Sequence, residues 1–173
     1  YAGQVNKNIV AQLQGMNCNV LGLSGADANA IQAVKRPVKV IDYGFVGDVE
    51  KVNDVWFQHL LEHNISPVCC AITHDKKGQL FNTNADTITA EIGKALAQEF
   101  EVKISYCFEL PGVMKDLNDP NSLIENINRA SYQELLLNNT IAAGMLPKLH
   151  NAFDALSAGV NEVAIGATNM INQ

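Results

Sequence analysis

Two stretches of this 173-residue chain carry polar residues at spacings that could do chemistry. In the first, Asn82 and Asn84 are two residues apart, so on an extended strand both side chains leave the same face. Asp86 follows at the N-cap position of a predicted helix, where its carboxylate can accept backbone N–H groups. Two amides and a carboxylate therefore meet at one strand-to-helix junction, and open α/β sheets bind ligands beyond such strand ends.

The second stretch places a lysine at the start of a helix. Pro147 suits a first helical position, and Lys148 follows it inside the turn where the helix macrodipole is positive. A cation there is unfavourable by about 0.3–1 kcal/mol. A lysine beside a positive helix end makes an anion site, and phosphate is the usual guest. The spacing leaves open the alternative of a solvated lysine that tolerates the penalty.

Asp86 and Lys148 together indicate phosphoryl transfer. That reaction needs little covalent participation by the protein, but it needs positive charge on the moving phosphoryl group and a fixed arrangement of donors. The chain has no GxxxxGK[ST] loop and no GxGxxG after a predicted strand. A P-loop NTPase and a dinucleotide-binding fold are therefore disfavoured.

Composition limits the partners that the chain can have. The net charge of −6 argues against nucleic acid, because phosphate neutralisation needs clustered Lys and Arg. No apolar run approaches the roughly 20 residues of a membrane span, so we expect no membrane partner. The four cysteines show no CxxC or Cys/His spacing, which predicts buried, reduced thiols in a cytoplasmic protein and no metal site.

Strand-like and helix-like segments alternate along the chain, which predicts a parallel or mixed sheet with helices on both faces, an α/β fold. The predicted helices are Tyr1–Gln14, Ala26–Val34, Asp48–His63, the run that begins at Asp86, Leu123–Asn128, Tyr132–Asn138 and Pro147–Ala158. The predicted strands are Asn19–Leu23, Ser66–Thr73, Gln79–Asn84, Val102–Phe108 and Asn161–Gly166.

Two motifs, in this order, resemble the acetylglutamate kinases of the amino acid kinase family. They are Asn82-Thr83-Asn84-Ala85-Asp86 and Gly144-Met145-Leu146-Pro147-Lys148. The stretches Gly22–Asp27 and Tyr43–Val49 resemble the same enzymes, and the similarity runs from Tyr1 to about Ile165. The resemblance implies ATP-dependent phosphorylation of the side-chain carboxylate of an N-acylated glutamate in arginine biosynthesis, with ATP and Mg²⁺ as the nucleotide and its metal.

The resemblance also assigns roles to individual residues. It implies that Asn82 contacts the acyl-glutamate, that Asp86 organises two catalytic lysines, and that Lys148 stabilises the transferring phosphoryl group. Asn84 is a second candidate for substrate binding, because its side chain shares a face with that of Asn82. The nucleotide contacts that it implies are Gly144 and Met145. Glu109 is a further candidate, at a strand end where this chain departs from the Ser/Thr-Asp of many relatives.

The family fold implied by the resemblance is an open, mostly parallel sheet between helix layers. Residues 1–86 would form the acyl-glutamate lobe, incomplete at its N-terminus, and residues 87–173 the nucleotide lobe. The helix Tyr1–Gln14 would cross its mate in a homodimer, in agreement with its apolar face.

The family's other catalytic lysine and its phosphate-binding glycines would precede Tyr1, so we expect this sequence to be a piece of a longer enzyme.

The substrate and the function each leave alternatives open. The acyl group can be acetyl or succinyl. The chain can instead be another kinase of the superfamily, acting on aspartate, carbamate or a nucleotide, or a non-catalytic relative that binds a nucleotide or an amino acid.

Overall fold

The chain divides into two compact units, Tyr1–Leu96 and Ala97–Gln173. The computed structural model describes residues 1–116, 118–119, 121–138 and 144–169. The helices are α1 (Gln4–Gly15), α2 (Asp54–Glu62), α3 (Ala85–Leu96), α4 (Arg129–Leu137) and α5 (Leu146–Ser157). The strands are β1 (Val20–Leu23), β2 (Ile31–Lys35), β3 (Gly47–Val52), β4 (Ser66–Cys69), β5 (Ile72–His74), β6 (Leu80–Asn82), β7 (Lys103–Cys107) and β8 (Glu162–Gly166). None of the described helices has the length and hydrophobicity needed to cross a membrane.

The strands of the described residues form parallel and mixed sheets. In the first unit β1 and β4 pair in parallel, and a second sheet has the order β3-β2-β5-β6. In that sheet β2 is antiparallel to β3 and parallel to β5, while β5 and β6 form an antiparallel hairpin. In the second unit β7 and β8 pair in parallel. The predicted α/β fold class is confirmed.

An apolar cluster holds the helices of the first unit to its strands. Phe57 from α2 is fully buried and packs with Ile31 from β2 and Ile88 from α3. Burying a side chain of this size contributes about 1.5–3 kcal/mol. Because Ile88 lies one turn into α3, this packing fixes where that helix starts.

The predicted helix over Ala26–Val34 is wrong. Its first part is one 3-10 turn, Asp27–Asn29, in which Ala28 and Asn29 both have a φ of 51°, so the chain cannot continue as an α-helix. The remainder is the strand β2, with Ile31 and Ala33 buried at the two-residue period of a strand. Pairing with β3 and β5 outweighs the helical preference of this alanine-rich segment.

Other predicted elements are divided or absent. The predicted helix over Asp48–His63 is the strand β3 followed by α2, with the Asn53 side-chain oxygen accepting the Trp56 N–H at 3.3 Å as the N-cap. The predicted strand Ser66–Thr73 is divided into β4 and β5. The predicted helix Leu123–Asn128 is absent, and Ile124 N–H donates to the Val113 carbonyl instead.

Helix α1 lies against β1 and β4 through two side-chain hydrogen bonds. Asn6, which is 3% exposed, donates from Nδ2 to the Val68 carbonyl at 2.8 Å, and Lys7 Nζ donates to the Gly22 carbonyl at 2.9 Å. A Cβ at Gly22 would lie 2.1 Å from Asn6 Oδ1 and 2.8 Å from Val10 Cγ2. Only glycine therefore allows this close approach of the helix to the strand.

We expect Gly22→Ala to destabilise the protein by about 1–3 kcal/mol, because the added methyl group overpacks the contact between α1 and β1. The measurement is the midpoint of urea unfolding. Gly15→Ala is the matched control, since nothing lies within 4 Å of a Cβ there. It should leave stability unchanged or raise it by up to about 1 kcal/mol. Equal midpoints for the two variants would contradict the close contact.

Candidate active site

The junction between β6 and α3 exposes two amides around a buried hydroxyl. Asn82 and Asn84 are exposed, whereas Thr83 between them is buried. The Thr83 hydroxyl shares a hydrogen bond with the Thr73 hydroxyl at 2.8 Å and donates to the Gly47 carbonyl at 3.2 Å. The two asparagines share the exposed face, as their two-residue spacing predicts.

The connection between β2 and β3 lies beside the first of these asparagines. Asn82 N–H donates to the Phe45 carbonyl at 2.8 Å, and Val46 forms a parallel bridge with Asn82. The Phe45 side chain is 64% exposed. The spacing of Gly44 and Gly47 around this aromatic residue is typical of a backbone that approaches a ligand or of a bulged strand, but it does not show which strand the segment contacts.

The prediction that Asp86 is the N-cap of the helix is wrong. Helix α3 begins at Ala85, so the cap is Asn84, whose Oδ1 accepts the Thr87 N–H at 3.1 Å. Asp86 lies in the first turn and is half-buried. Asn and Asp are about equally good caps, so sequence alone does not choose between these two positions. In the first turn the Asp86 carboxylate still interacts favourably with the helix macrodipole.

The loop after β1 is held by an aspartate. Asp27 Oδ2 accepts the Ser24 N–H at 2.7 Å and the Ser24 hydroxyl at 2.8 Å. The backbone hydrogen bond from Ser24 is the largest cause that lowers the pKa of Asp27, followed by the hydroxyl of the same residue. Gly25 N–H donates to the Ile72 carbonyl at 2.6 Å, which ties the loop to the start of β5. Together these hydrogen bonds fix the shape of the loop and hold it against β5.

In the second unit a lysine lies in the first turn of α5. Met145 immediately precedes the helix, Pro147 occupies one of the first two helical positions, and Lys148 is the next residue. Lys148 Nζ is 5.7 Å from the centroid of the Tyr106 ring, a cation–π distance. Tyr106 is buried in β7. The alternation along β7 could have shown that this tyrosine is buried, but not that it contacts the lysine.

The remaining predicted nucleotide contacts lie in the same unit. Gly144 is exposed and precedes α5, and Glu109 is exposed shortly after β7. Phe108 N–H donates to the Gly166 carbonyl at 3.0 Å, which holds the chain between β7 and Glu109. Residues 139–143, which precede Gly144, lie outside the described part of the chain.

Metal ligands are not concentrated in the described residues. No three His, Cys, Asp or Glu side chains come together there in a group that could hold an ion. These residues therefore do not fit a metal site built from protein ligands alone. Magnesium commonly binds to nucleotide phosphates with one or two carboxylates and several waters, and such a site needs no larger cluster.

Comparison with known proteins decides the family. A sequence profile of the amino acid kinase family matches residues 1–167. The chain belongs to the amino acid kinase family. It is 51% identical over 173 residues to the acetylglutamate kinase of Phocaeicola vulgatus and 50% identical over 172 residues to that of Bacteroides fragilis. These alignments cover 100% and 99% of this chain but 67% and 66% of the relatives, so the chain spans about two thirds of their length.

Solved structures share the fold of this amino acid kinase chain. The protein smu.665 from Streptococcus mutans matches with a TM-score of 0.79 and 28% identity, covering 94% of this chain and 62% of that protein. An N-acetylglutamate synthase from Neisseria gonorrhoeae, complexed with coenzyme A and N-acetyl-glutamate, has a TM-score of 0.77 at 23% identity. This match covers 96% of this chain and 36% of the synthase chain. The latter likeness shows the fold alone. The family predicted from the motifs is confirmed.

We expect Asn84→Ala to destabilise the protein by about 0.5–2 kcal/mol, because the variant removes the N-cap of α3. Asn84→Ser keeps a capping oxygen and should therefore retain most of the stability that Asn84→Ala loses. Urea unfolding midpoints give the comparison. Asn82→Ala is the control, and its effect should stay within about 0.5 kcal/mol since it removes an exposed amide. Equal losses for Asn82→Ala and Asn84→Ala would contradict the capping assignment.

Proposed function

We propose that this chain is part of an acetylglutamate kinase, which transfers the terminal phosphoryl group of ATP to the side-chain carboxylate of an N-acyl-L-glutamate in arginine biosynthesis. The observation that carries the proposal is about 50% identity, over essentially the whole chain, to proteins named acetylglutamate kinase. Membership of the amino acid kinase family supports ATP as the phosphoryl donor. The proposed location is the cytoplasm.

The junction between β6 and α3 is proposed to bind the acyl-glutamate. Asn82 presents an exposed amide that can donate to a carboxylate and accept from an amide N–H. The Asn84 side-chain oxygen caps α3, so its proposed substrate contact comes from the amide nitrogen. Asp86 in the first turn of α3 is proposed to organise catalytic lysines, which needs a carboxylate in a fixed position and no contact with substrate.

Lys148 is proposed to stabilise the phosphoryl group in the transition state. Charge on that group is spread over its equatorial oxygens, so a fixed cation lowers the barrier without covalent participation. The N-terminus of α5 adds positive potential beside it. Gly144, Met145 and Glu109 are proposed to lie against the nucleotide, and Mg²⁺ to be held chiefly by the ATP phosphates.

The activity is tested in the full-length protein by trapping the acyl phosphate with hydroxylamine. We expect a hydroxamate to form only when ATP and an acyl-glutamate are both present, and parallel reactions with N-acetyl- and N-succinyl-L-glutamate identify the acyl group. Turnover of aspartate or carbamate instead would assign a different kinase of the family. Calorimetric binding of ATP without any turnover would assign a non-catalytic relative and overturn the proposal.

In the same assay we expect Lys148→Ala to lower kcat by about 10²–10³-fold with little change in KM, as for a contact made only in the transition state. Lys115→Ala removes an exposed lysine of the same unit and is the matched control. A Lys148→Ala enzyme with the kcat of the Lys115→Ala enzyme would contradict the assigned role.

We also propose that α1 forms a homodimer contact, because the helix leaves an apolar strip exposed. Val5 is 49% exposed and Ile9 is 43% exposed, one helical turn apart. We expect Ile9→Glu to shift the protein from dimer to monomer in sedimentation velocity, because the charge would be buried between two helices. Asn8→Glu places the same charge at a neighbouring exposed position and should remain dimeric. A wild-type protein that sediments as a monomer would overturn the proposal.

A further inference from the structure

Two adjacent cysteines have no part in the proposed phosphoryl transfer. Cys69 ends β4 and Cys70 follows it, and both are free thiols. They line the same cavity, whose volume is about 290 Å³. Cys18 and Cys107 are also free, but both are exposed, so the prediction of buried thiols is wrong for these two. Neither of them lines this cavity.

The cavity lies between this cysteine pair and the helix that follows the asparagine junction. Its other walls include Phe57 from α2 and Ala85, Ile88 and Thr89 from the first turns of α3. Cys70 N–H donates to the Leu23 carbonyl at 2.9 Å, which fixes the backbone that carries its thiol. A ligand held by the two sulfurs would therefore contact the start of α3.

Bond geometry disfavours a direct disulfide between the two sulfurs. Consecutive Cα atoms are about 3.8 Å apart across a trans peptide. Disulfides usually join Cα atoms that are about 4.4–6.8 Å apart. A single soft atom between the sulfurs lengthens the bridge and relieves that constraint.

The surroundings also select against common metal ions. Burial, followed by the neighbouring Cys70, raises the pKa of the Cys69 thiol to about 11, so this thiol is neutral near pH 7. Zinc needs thiolates and about four ligands, and the described residues bring no third ligand to the pair. The pair therefore favours a reagent that binds through two sulfur atoms and needs no further protein ligand.

We propose that Cys69 and Cys70 form a dithiol site for trivalent organoarsenic compounds beneath the start of α3. An arsenoxide, R–As=O, condenses with both thiols. Two S–As bonds form, the As=O bond breaks, and both thiol protons leave with the oxygen as one water molecule. Arsenic stays trivalent, so the reaction needs no oxidant or reductant.

The test uses phenylarsine oxide and the intact mass of the full-length protein. We expect one adduct that survives excess 2-mercaptoethanol, because two S–As bonds outcompete a monothiol, and that is removed by the dithiol dimercaptopropanol. Cys70→Ser and Cys69→Ser should each lower the retained adduct at least tenfold. The double variant Cys18→Ser/Cys107→Ser is the control and should retain the adduct.

Two results would overturn the inference: a wild-type protein without a monothiol-resistant adduct, or full retention of the adduct in Cys70→Ser. If Cys69→Ser fails to fold by circular dichroism, Cys70→Ser and the double control still decide the question. Hydrogen exchange gives a second readout, since the adduct should slow exchange at the amides of Ile88 and Thr89. Neither measurement requires kinase activity, so the outcome is separate from that of the proposed function.

Discussion

The buried hydroxyl of Thr83 is the constraint on which the candidate substrate site depends. It is hydrogen-bonded to the Thr73 hydroxyl and to the Gly47 carbonyl. Leaving such a buried group without a partner costs about 1–3 kcal/mol. A slip of one residue in β6 would break these bonds and would bury the amides of Asn82 and Asn84. One interior hydrogen-bond network therefore sets which side chains face outward at the junction.

The same junction is held by apolar packing on its helical side. Ile88 joins Phe57 and Ile31 in the core, so α3 cannot shift without opening a cavity. The hydroxyl network fixes the end of the strand and the apolar cluster fixes the helix, with Asn84 capping the helix between them. Asp86 thus has a defined position because two independent interactions hold the residues on either side of it.

Sequence patterns predicted the parts of the structure that local chemistry determines. The spacing of the asparagines gave their common face, and the order of glycine, proline and Lys148 placed the start of α5. The segment that becomes β2 could not be recognised, because its strand conformation depends on pairing with distant strands. The contact between Lys148 and Tyr106 was also missed, since periodicity shows that a residue is buried but not what it touches.

A balance of small energies explains how Lys148 can remain in the first turn of α5. Its positive charge lies near the positive end of the helix macrodipole, which is unfavourable by about 0.3–1 kcal/mol. A cation–π contact contributes about 0.5–1 kcal/mol at exposed sites and about 2 kcal/mol when desolvated, so the Tyr106 ring offsets the penalty. The ring also limits the rotamers of a flexible side chain. In the proposed role of Lys148, an arriving anion would interact with both the ammonium group and the helix N-terminus.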